Sequence, residues 1–411
     1  MNTSGSGWWN TVPIFLAATL ASTSAASATQ VGNPETSAAA TLREAHERAS
    51  MLLPDLAGNQ ASRDQIAAQR RLARGPFVGP PVVSGNVEIG SDGLGEQEAG
   101  VSASFRWPGE VGAVRRAADR GGEAIDATLA AARLALAGQV RAAWWELAST
   151  RAVFDVESAQ AGVADQELTA VARLVGAGVQ ARRDLLLAQG ERAAIRARLS
   201  SAETSYAGAR SAFEALAGSA PASFPAELPT VPGELERHPE LRAALAQAAV
   251  AEANVTALRY GTRPRVSGNI GVRRERDGIR DEYGNSLLVG IGVPIGRDYA
   301  AVAATAGARS QALRATAEAV LVRRRLIAER TAAERRLAVA RRAAQEARQR
   351  RDALSEALAL TERGRREGEL GYIEALRARQ ALFAASRDLA VADVAASAAI
   401  STFNQVQGAL P

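Results

Sequence analysis

The sequence is 411 residues long and 47% apolar, yet only 4% aromatic, with a formal net charge of +5. So few aromatics argue against a bulky globular core, and the lack of Cys excludes disulfides and an N-terminal lipid on Cys. The 49 basic residues, all Arg, are interspersed with 44 acidic ones along Ala-rich stretches. That pattern describes solvated helix faces, and no helix-turn-helix, zinc or RNA-binding signature accompanies it.

In chain order, residues 1–28 read as an export signal, with an apolar stretch from Val12 to Ala21 and a small-residue cleavage site at Ala26-Ser27-Ala28. Residues 29–40 follow as a short N-terminal segment. No later stretch offers 18 apolar residues in a row, so no transmembrane helix is predicted. Thr41 to Arg74 reads as one helix, ended by Gly75-Pro76 and Gly79-Pro80-Pro81.

A hairpin is predicted over residues 82–107. Val83, Gly85, Val87 and Ile89 share one face against Ser84, Asn86 and Glu88, and Ser91 to Glu96 supplies turn chemistry. On the return, Val101, Ala103, Phe105 and Trp107 oppose Ser102, Ser104 and Arg106. Strict alternation of this kind marks a strand with one apolar and one polar face.

Pro108 closes the hairpin, and a helix is predicted from Gly109 to Ala177. Val140, Leu147, Phe154, Ala161, Leu168 and Val175 recur along it at sevenfold spacing, as in a coiled coil. At 1.5 Å per residue such a helix is about 100 Å long. Gly176-Ala177-Gly178 then turns the chain into a shorter returning helix.

Residues 218–234, rich in Pro and Ala, read as a linker running outside the bundle. The second half, 235–411, repeats the first. His238-Pro239 starts a helix reaching about Tyr260, with Pro in the first turn. The segment Val266-Ser267-Gly268-Asn269-Ile270 restates Val83-Ser84-Gly85-Asn86-Val87 and opens a hairpin over 265–294. Val266, Gly268, Ile270 and Val272 form its first apolar face, and Leu287, Val289, Ile291 and Val293 its second, across a polar loop from Arg274 to Asn285.

A long helix from Arg297 to Glu367 carries Leu326, Ala333, Ala340, Ala347 and Leu354 at heptad spacing, and Gly368-Glu369-Leu370-Gly371 makes the turn. Leu199, Tyr206 and Phe213 of the first returning helix answer to Leu389, Ala396 and Phe403 of the second, each 190 positions on. The expected unit is one long helix beside two shorter ones stacked end to end. The fold class is therefore mainly α with a small β part: a duplicated long-helix coiled-coil bundle plus two β-hairpins. The strands approach the roughly 9–11 residues that cross a bilayer when tilted, and Phe105 and Trp107 stand where interfacial aromatics belong.

No catalytic, cofactor-binding or metal-binding constellation is present, so the chain is not read as an enzyme. His46, in Glu44-x-His46-Glu47, lacks the second His of a zinc pair, and His238 reads as a helix-start residue. Two carboxylates stand out: Asp184, six residues after Gly178, and Glu374, six after Gly368.

Duplicated halves of hairpin, long helix, Gly turn and returning helix resemble the outer-membrane efflux protein (TolC) family, from about Thr41 to Leu410. The matching residues are Gly178-(x)5-Asp184-Leu185-(x)2-Ala188-Gln189 and Gly368-(x)5-Glu374-Ala375-Leu376-x-Ala378-Arg379. His238-Pro239-Glu240-Leu241 and Gly290-Ile291-Gly292-Val293-Pro294 join them. The short Ala/Arg-rich chain is also similar to the heavy-metal efflux branch, although Gly109-Glu110-Val111 stands where that branch often has Gly-Lys-Arg.

The resemblance implies a homotrimer with a twelve-stranded β-barrel in the outer membrane of a Gram-negative bacterium and an α-barrel crossing the periplasm. The linker would lie at its equator. It implies a passive duct for metal cations or drugs, docked to a periplasmic adaptor (a membrane fusion protein) and an inner-membrane pump of the resistance-nodulation-division or ABC type. The helix-tip turns would be Gly176, Gly178, Gly368 and Gly371. Asp184 and Glu374 would line a periplasmic aperture, with Arg377 where relatives often carry a second Asp. The strand residues Val83, Val87, Ile89, Val101, Phe105, Trp107, Val266, Ile270, Val272, Leu287, Val289, Ile291 and Val293 would face lipid. Other readings are the outer-membrane component of type I protein secretion, and a soluble periplasmic coiled-coil adaptor or scaffold.

Overall fold

Alternating residues in the two hairpin regions resolve into four antiparallel strands. The structure, a computed structural model, describes residues 41–52, 55–89, 95–276 and 282–411. The export signal, the segment 29–40, most of the first hairpin turn and the middle of the second hairpin loop lie outside the described residues. The strands are β1 (Val82–Ile89), β2 (Gly95–Ser104), β3 (Ser267–Glu275) and β4 (Gly284–Gly292). They pair in the order β1-β2-β3-β4, so β2 and β3 join the two hairpins into one sheet.

Seven helices are described: α1 (Leu42–Leu52), α2 (Asp55–Leu72), α3 (Glu110–Gly176), α4 (Arg182–Ala217), α5 (Pro239–Leu258), α6 (Tyr299–Glu367) and α7 (Tyr372–Val406). The helix expected from Thr41 to Arg74 is described as α1 and α2, with residues 53 and 54 outside the described residues. Helices α4 and α5 both pack along α3, and α5 and α7 along α6. Every heptad position singled out on α3 and α6 is buried or half-buried, from Val140, Leu147 and Leu326 at the fully buried end to Leu168 and Leu354. Ala between these larger residues lets the backbones approach.

The principal core gathers Leu42 and Ala45 of α1, Val140, Trp144 and Leu147 of α3, and Phe213 of α4. Trp144 meets the edges of Phe213 and Phe224 at centroid distances of 5.8 and 5.4 Å. His46 is buried in the same region, its Nε2 3.2 Å from the Arg133 carbonyl oxygen.

Phe224 belongs to the 218–234 linker, which therefore docks on the helices that it runs past. Arg141, 3% exposed, donates from Nε and an NH2 group to both carboxylate oxygens of Glu227, at 3.0 and 2.7 Å. Its remaining NH2 group donates to Gln405 Oε1 and the Ala409 carbonyl oxygen. Asn404 accepts from the Thr230 N–H and donates to the Leu228 carbonyl, while Trp145 donates to Ser401. A guanidinium this deep is tolerable because each of its three nitrogens finds an acceptor. Helix α7 is long and apolar enough by composition to cross a membrane. Its Ser401, Asn404 and Gln405 are instead bonded to α3 and the linker.

Candidate channel surfaces

The strand register sorts the sheet into two chemically opposite faces. On one, Val83, Val101, Ile270 and Val289 stand in a single row across all four strands, with Ala99, Val272 and Leu287 in the next. Val83, Ile89, Val289 and Ile291 are 77%, 81%, 71% and 77% exposed. None of the described helices packs on this face. A contiguous exposed apolar surface of this kind marks a membrane or protein contact.

Trp107 corrects the sequence reading. Strand β2 ends at Ser104, and Trp107 lies beyond it, half-buried, with its backbone N–H donated to Glu110 Oε2 at 3.0 Å. The sheet is abandoned here because the chain must turn into α3 through Gly109, whose φ is +88°. Val266 and Val293 likewise flank β3 and β4, outside the paired residues. Phe105 pairs by an isolated bridge with Phe77, their rings 5.4 Å apart. Phe77 carried no alternation and was invisible to pattern reading.

The second face is polar, and it holds charges that alternation alone did not single out. Arg273 lies 2.6 Å from Glu96, 3.7 Å from Glu98 and 3.9 Å from Glu275. Glu88 pairs in register with Glu96 on that face. Carboxylates outnumber the one guanidinium among these residues.

Between sheet and helices, Glu110 is 3% exposed and accepts from Arg265 at 3.1 Å, with Arg106 at 3.8 Å. It thus ties the start of α3 to both hairpins. The departure from Gly-Lys-Arg noted in the sequence places the acid of this cluster.

At the far end of the bundle, the two Gly turns are built alike. Gly178 and Gly368 adopt φ of +75° and +80°, where a side chain would be strained. The Val179 N–H returns to the Leu174 carbonyl, and the Glu369 N–H to that of Gly364. Gly176 ends α3 and Gly371 precedes α7 with ordinary negative φ.

Asp184 and Glu374 each occupy the third position of their helix, after Ala181 and Gly371, neither of which caps with a side chain. A carboxylate there is favoured by the helix dipole. Their surroundings differ. Asp184 is 7% exposed, its buried Oδ1 without a hydrogen bond and 3.6 Å from the Arg183 guanidinium. Glu374 and Arg377 are exposed.

The polar residues that link helices near this tip were not legible in sequence. Arg379 of α7 forms ion pairs with Glu167 of α3 and Glu362 of α6. Burial works against ionising Glu362, yet the bonds and charge of Arg379 and Arg365 outweigh it and hold the carboxyl below its ordinary range. Gln380 donates to Glu191 of α4 at 2.6 Å. Glu157, 3% exposed on α3, faces Arg198 of α4 at 3.3 Å and Arg387 of α7 at 3.8 Å. A cavity of about 230 Å³ lies among Glu157, Gln160, Glu191, Arg198, Gln380 and Arg387, room for several waters. Tyr372 is buried beside these groups, and burial, then the charge of Glu167, pushes its hydroxyl pKa up.

His238, 3% exposed, accepts the Glu240 N–H through Nδ1 and opens α5. Burial pushes its pKa below the ordinary 6.5, despite the opposing charge of Glu240. Above pH 6.5 the ring is neutral folded or unfolded. Below it the unfolded chain takes up a proton that the folded chain resists, so stability is lost as pH falls. The thermal midpoint should drop between pH 7 and 5 by more in the wild type than in His238→Gln; parallel pH profiles would contradict this.

Taken together, the open four-stranded sheet on paired long helices is the fold of outer-membrane channels. Among similar solved structures are the outer-membrane channel OprN, VceC from Vibrio cholerae and the open-state MtrE channel of Neisseria gonorrhoeae. OprN matches at a TM-score of 0.74 and 20% identity over 89% of each chain. VceC matches at 0.72 and 18%, over 90% of this chain and 96% of its own, and MtrE at 0.71 and 19%, over 90% and 89%. No family model and no curated protein matches the sequence.

Proposed function

We propose that this chain is the outer-membrane duct of an efflux system, three copies closing twelve strands in the membrane and carrying a helical tunnel across the periplasm. The observation that carries this reading is a sheet with two open edges, β1 and β4, and an exposed apolar face. One chain cannot satisfy those edges, and in lipid every backbone group must be paired, so closure requires further copies. Leu313, Val320 and Ile327, seven residues apart and all exposed on α6, offer an apolar seam of the kind a neighbouring copy covers.

In such a barrel the polar face lines the lumen, where Glu88, Glu96, Glu98 and Glu275 against Arg273 favour cations. At the tip, Glu374 with Arg377 would stand at the aperture. Asp184 would act from within the protomer, where its buried carboxylate favours a tip that can rearrange. The duct performs no chemistry: a periplasmic adaptor and an inner-membrane pump of the resistance-nodulation-division or ABC type would deliver metal cations or drugs and supply the energy. Planar-bilayer recording tests this. The purified protein should give discrete conductance steps with cation preference, reduced by neutralising Glu96 and Glu98. No conductance, even after the tip contacts are removed, would refute the duct.

A further inference from the structure

We infer that the polar cavity walled by α3, α4 and α7 is a binding site for a small uncharged aromatic molecule with a carboxamide head. The inference goes beyond the duct and does not depend on it, because every wall of the site belongs to one chain.

The cavity, of about 230 Å³, is lined by two polar side chains of α3 that are each 3% exposed, Glu157 and Gln160. Among the described residues Gln160 makes no hydrogen bond, so its amide is satisfied only by what occupies the cavity. Glu157 accepts from Arg198 Nε at 3.3 Å through Oε2. Its Oε1 accepts no hydrogen bond among the described residues, with Arg387 at 3.8 Å. Arg387 and the two NH2 groups of Arg198 make no hydrogen bond among those residues either, and Glu191 stands 3.9 Å from Arg198.

The wall thus sets two carboxylates against two guanidinium groups. A charged head would upset that balance in a confined site, where charges are weakly screened. The donors of Arg198, Arg387 and Gln160 call for an acceptor, and the open Glu157 oxygen calls for a donor. A carboxamide brings both, in its carbonyl oxygen and its NH2 group. Glu191, Gln380 and Phe383 also line an adjoining apolar crevice, together with Ile195 and Leu376. An aromatic body laid against Phe383 is therefore continuous with apolar side chains, while the head stays among the polar ones.

The test is equilibrium dialysis of the full-length protein in detergent against radiolabelled benzamide, benzoate and benzylammonium, with protein-free micelles as the blank. The three share a ring and differ in the charge of the head. Benzamide should bind saturably, and about fivefold or more tightly than either ion. Gln160→Leu should weaken it about three- to tenfold, since one amide's hydrogen bonds are lost. Ala384→Phe, which fills the cavity from α7, should abolish binding. Thermal unfolding is followed alongside, and if Ala384→Phe does not fold, Gln160→Leu decides alone. No saturable benzamide binding, an ion bound as tightly, or full affinity in the folded variants would overturn the site. Protein that binds benzamide but conducts nothing keeps the site and loses the duct, whereas protein that conducts without binding loses the site alone.

Discussion

Replacing Val289 with arginine is expected to abolish membrane assembly, while replacing its neighbour Leu288 is expected to be tolerated. Val289 shares the apolar row of Val83, Val101 and Ile270 and is 71% exposed. Leu288 faces the opposite side, opposite Gly271 in β3 and in line with Gly100 and Ser84. An arginine on the lipid face near the bilayer midplane costs about 2–4 kcal/mol, so three copies cost roughly 6–12 kcal/mol. That is comparable to the whole stability of an ordinary fold, about 5–15 kcal/mol. On the polar face the same side chain meets water. Membrane fractionation and unheated gels read the result directly. If the sheet were merely a soluble surface, both substitutions would be harmless, because both sites are accessible in the single chain.

The second large effect is expected at Arg379. Its ion pairs join α7 to α3 through Glu167 and to α6 through Glu362. In Arg379→Ser those two carboxylates lose their shared counter-charge. Removing one partner of a fully buried pair costs about 3–5 kcal/mol. The side chains here remain 14–24% exposed, which reduces the effect to about 2 kcal/mol. If the contact holds the tip shut, that shift raises the open population roughly 30-fold.

Channel recording should therefore show long open dwells in Arg379→Ser. Adding Glu167→Gln should reverse part of the change, since it removes one of the stranded charges. A variant with wild-type conductance and a lowered thermal midpoint would assign Arg379 to stability alone.

What was legible in the sequence follows from periodicity. Alternation at Val83 to Ile89 and Leu287 to Ile291 marked faces that the register confirms, because a strand's side-chain period of two is unambiguous when one face is apolar. Heptad spacing on α3 and α6, and Gly178 and Gly368 at the turns, were equally plain. Contacts between distant segments were not. Arg379 closes the motif that follows Gly368, but it finds Glu167 across more than two hundred residues, and nothing local names that partner. The Arg273 cluster depends on how β2 pairs with β3, which hairpin patterning does not specify.

The docking of the linker was hidden for a related reason. Its Pro-rich composition correctly excluded helix and strand, but Glu227 and Phe224 dock through Arg141 and Trp144, partners far away in the chain. Asp184 and Glu374 hold equivalent positions in the two repeats, yet one is buried and the other exposed. Duplication supplied like positions, and the different packing around each then gave them different surroundings.

The central claim is that two hairpins are a fraction of a barrel that only association completes. Counting chains in the detergent-extracted complex tests it most directly, for instance by native mass spectrometry. The account predicts three copies, giving twelve strands. A monomer, or a dimer with eight strands, would contradict it.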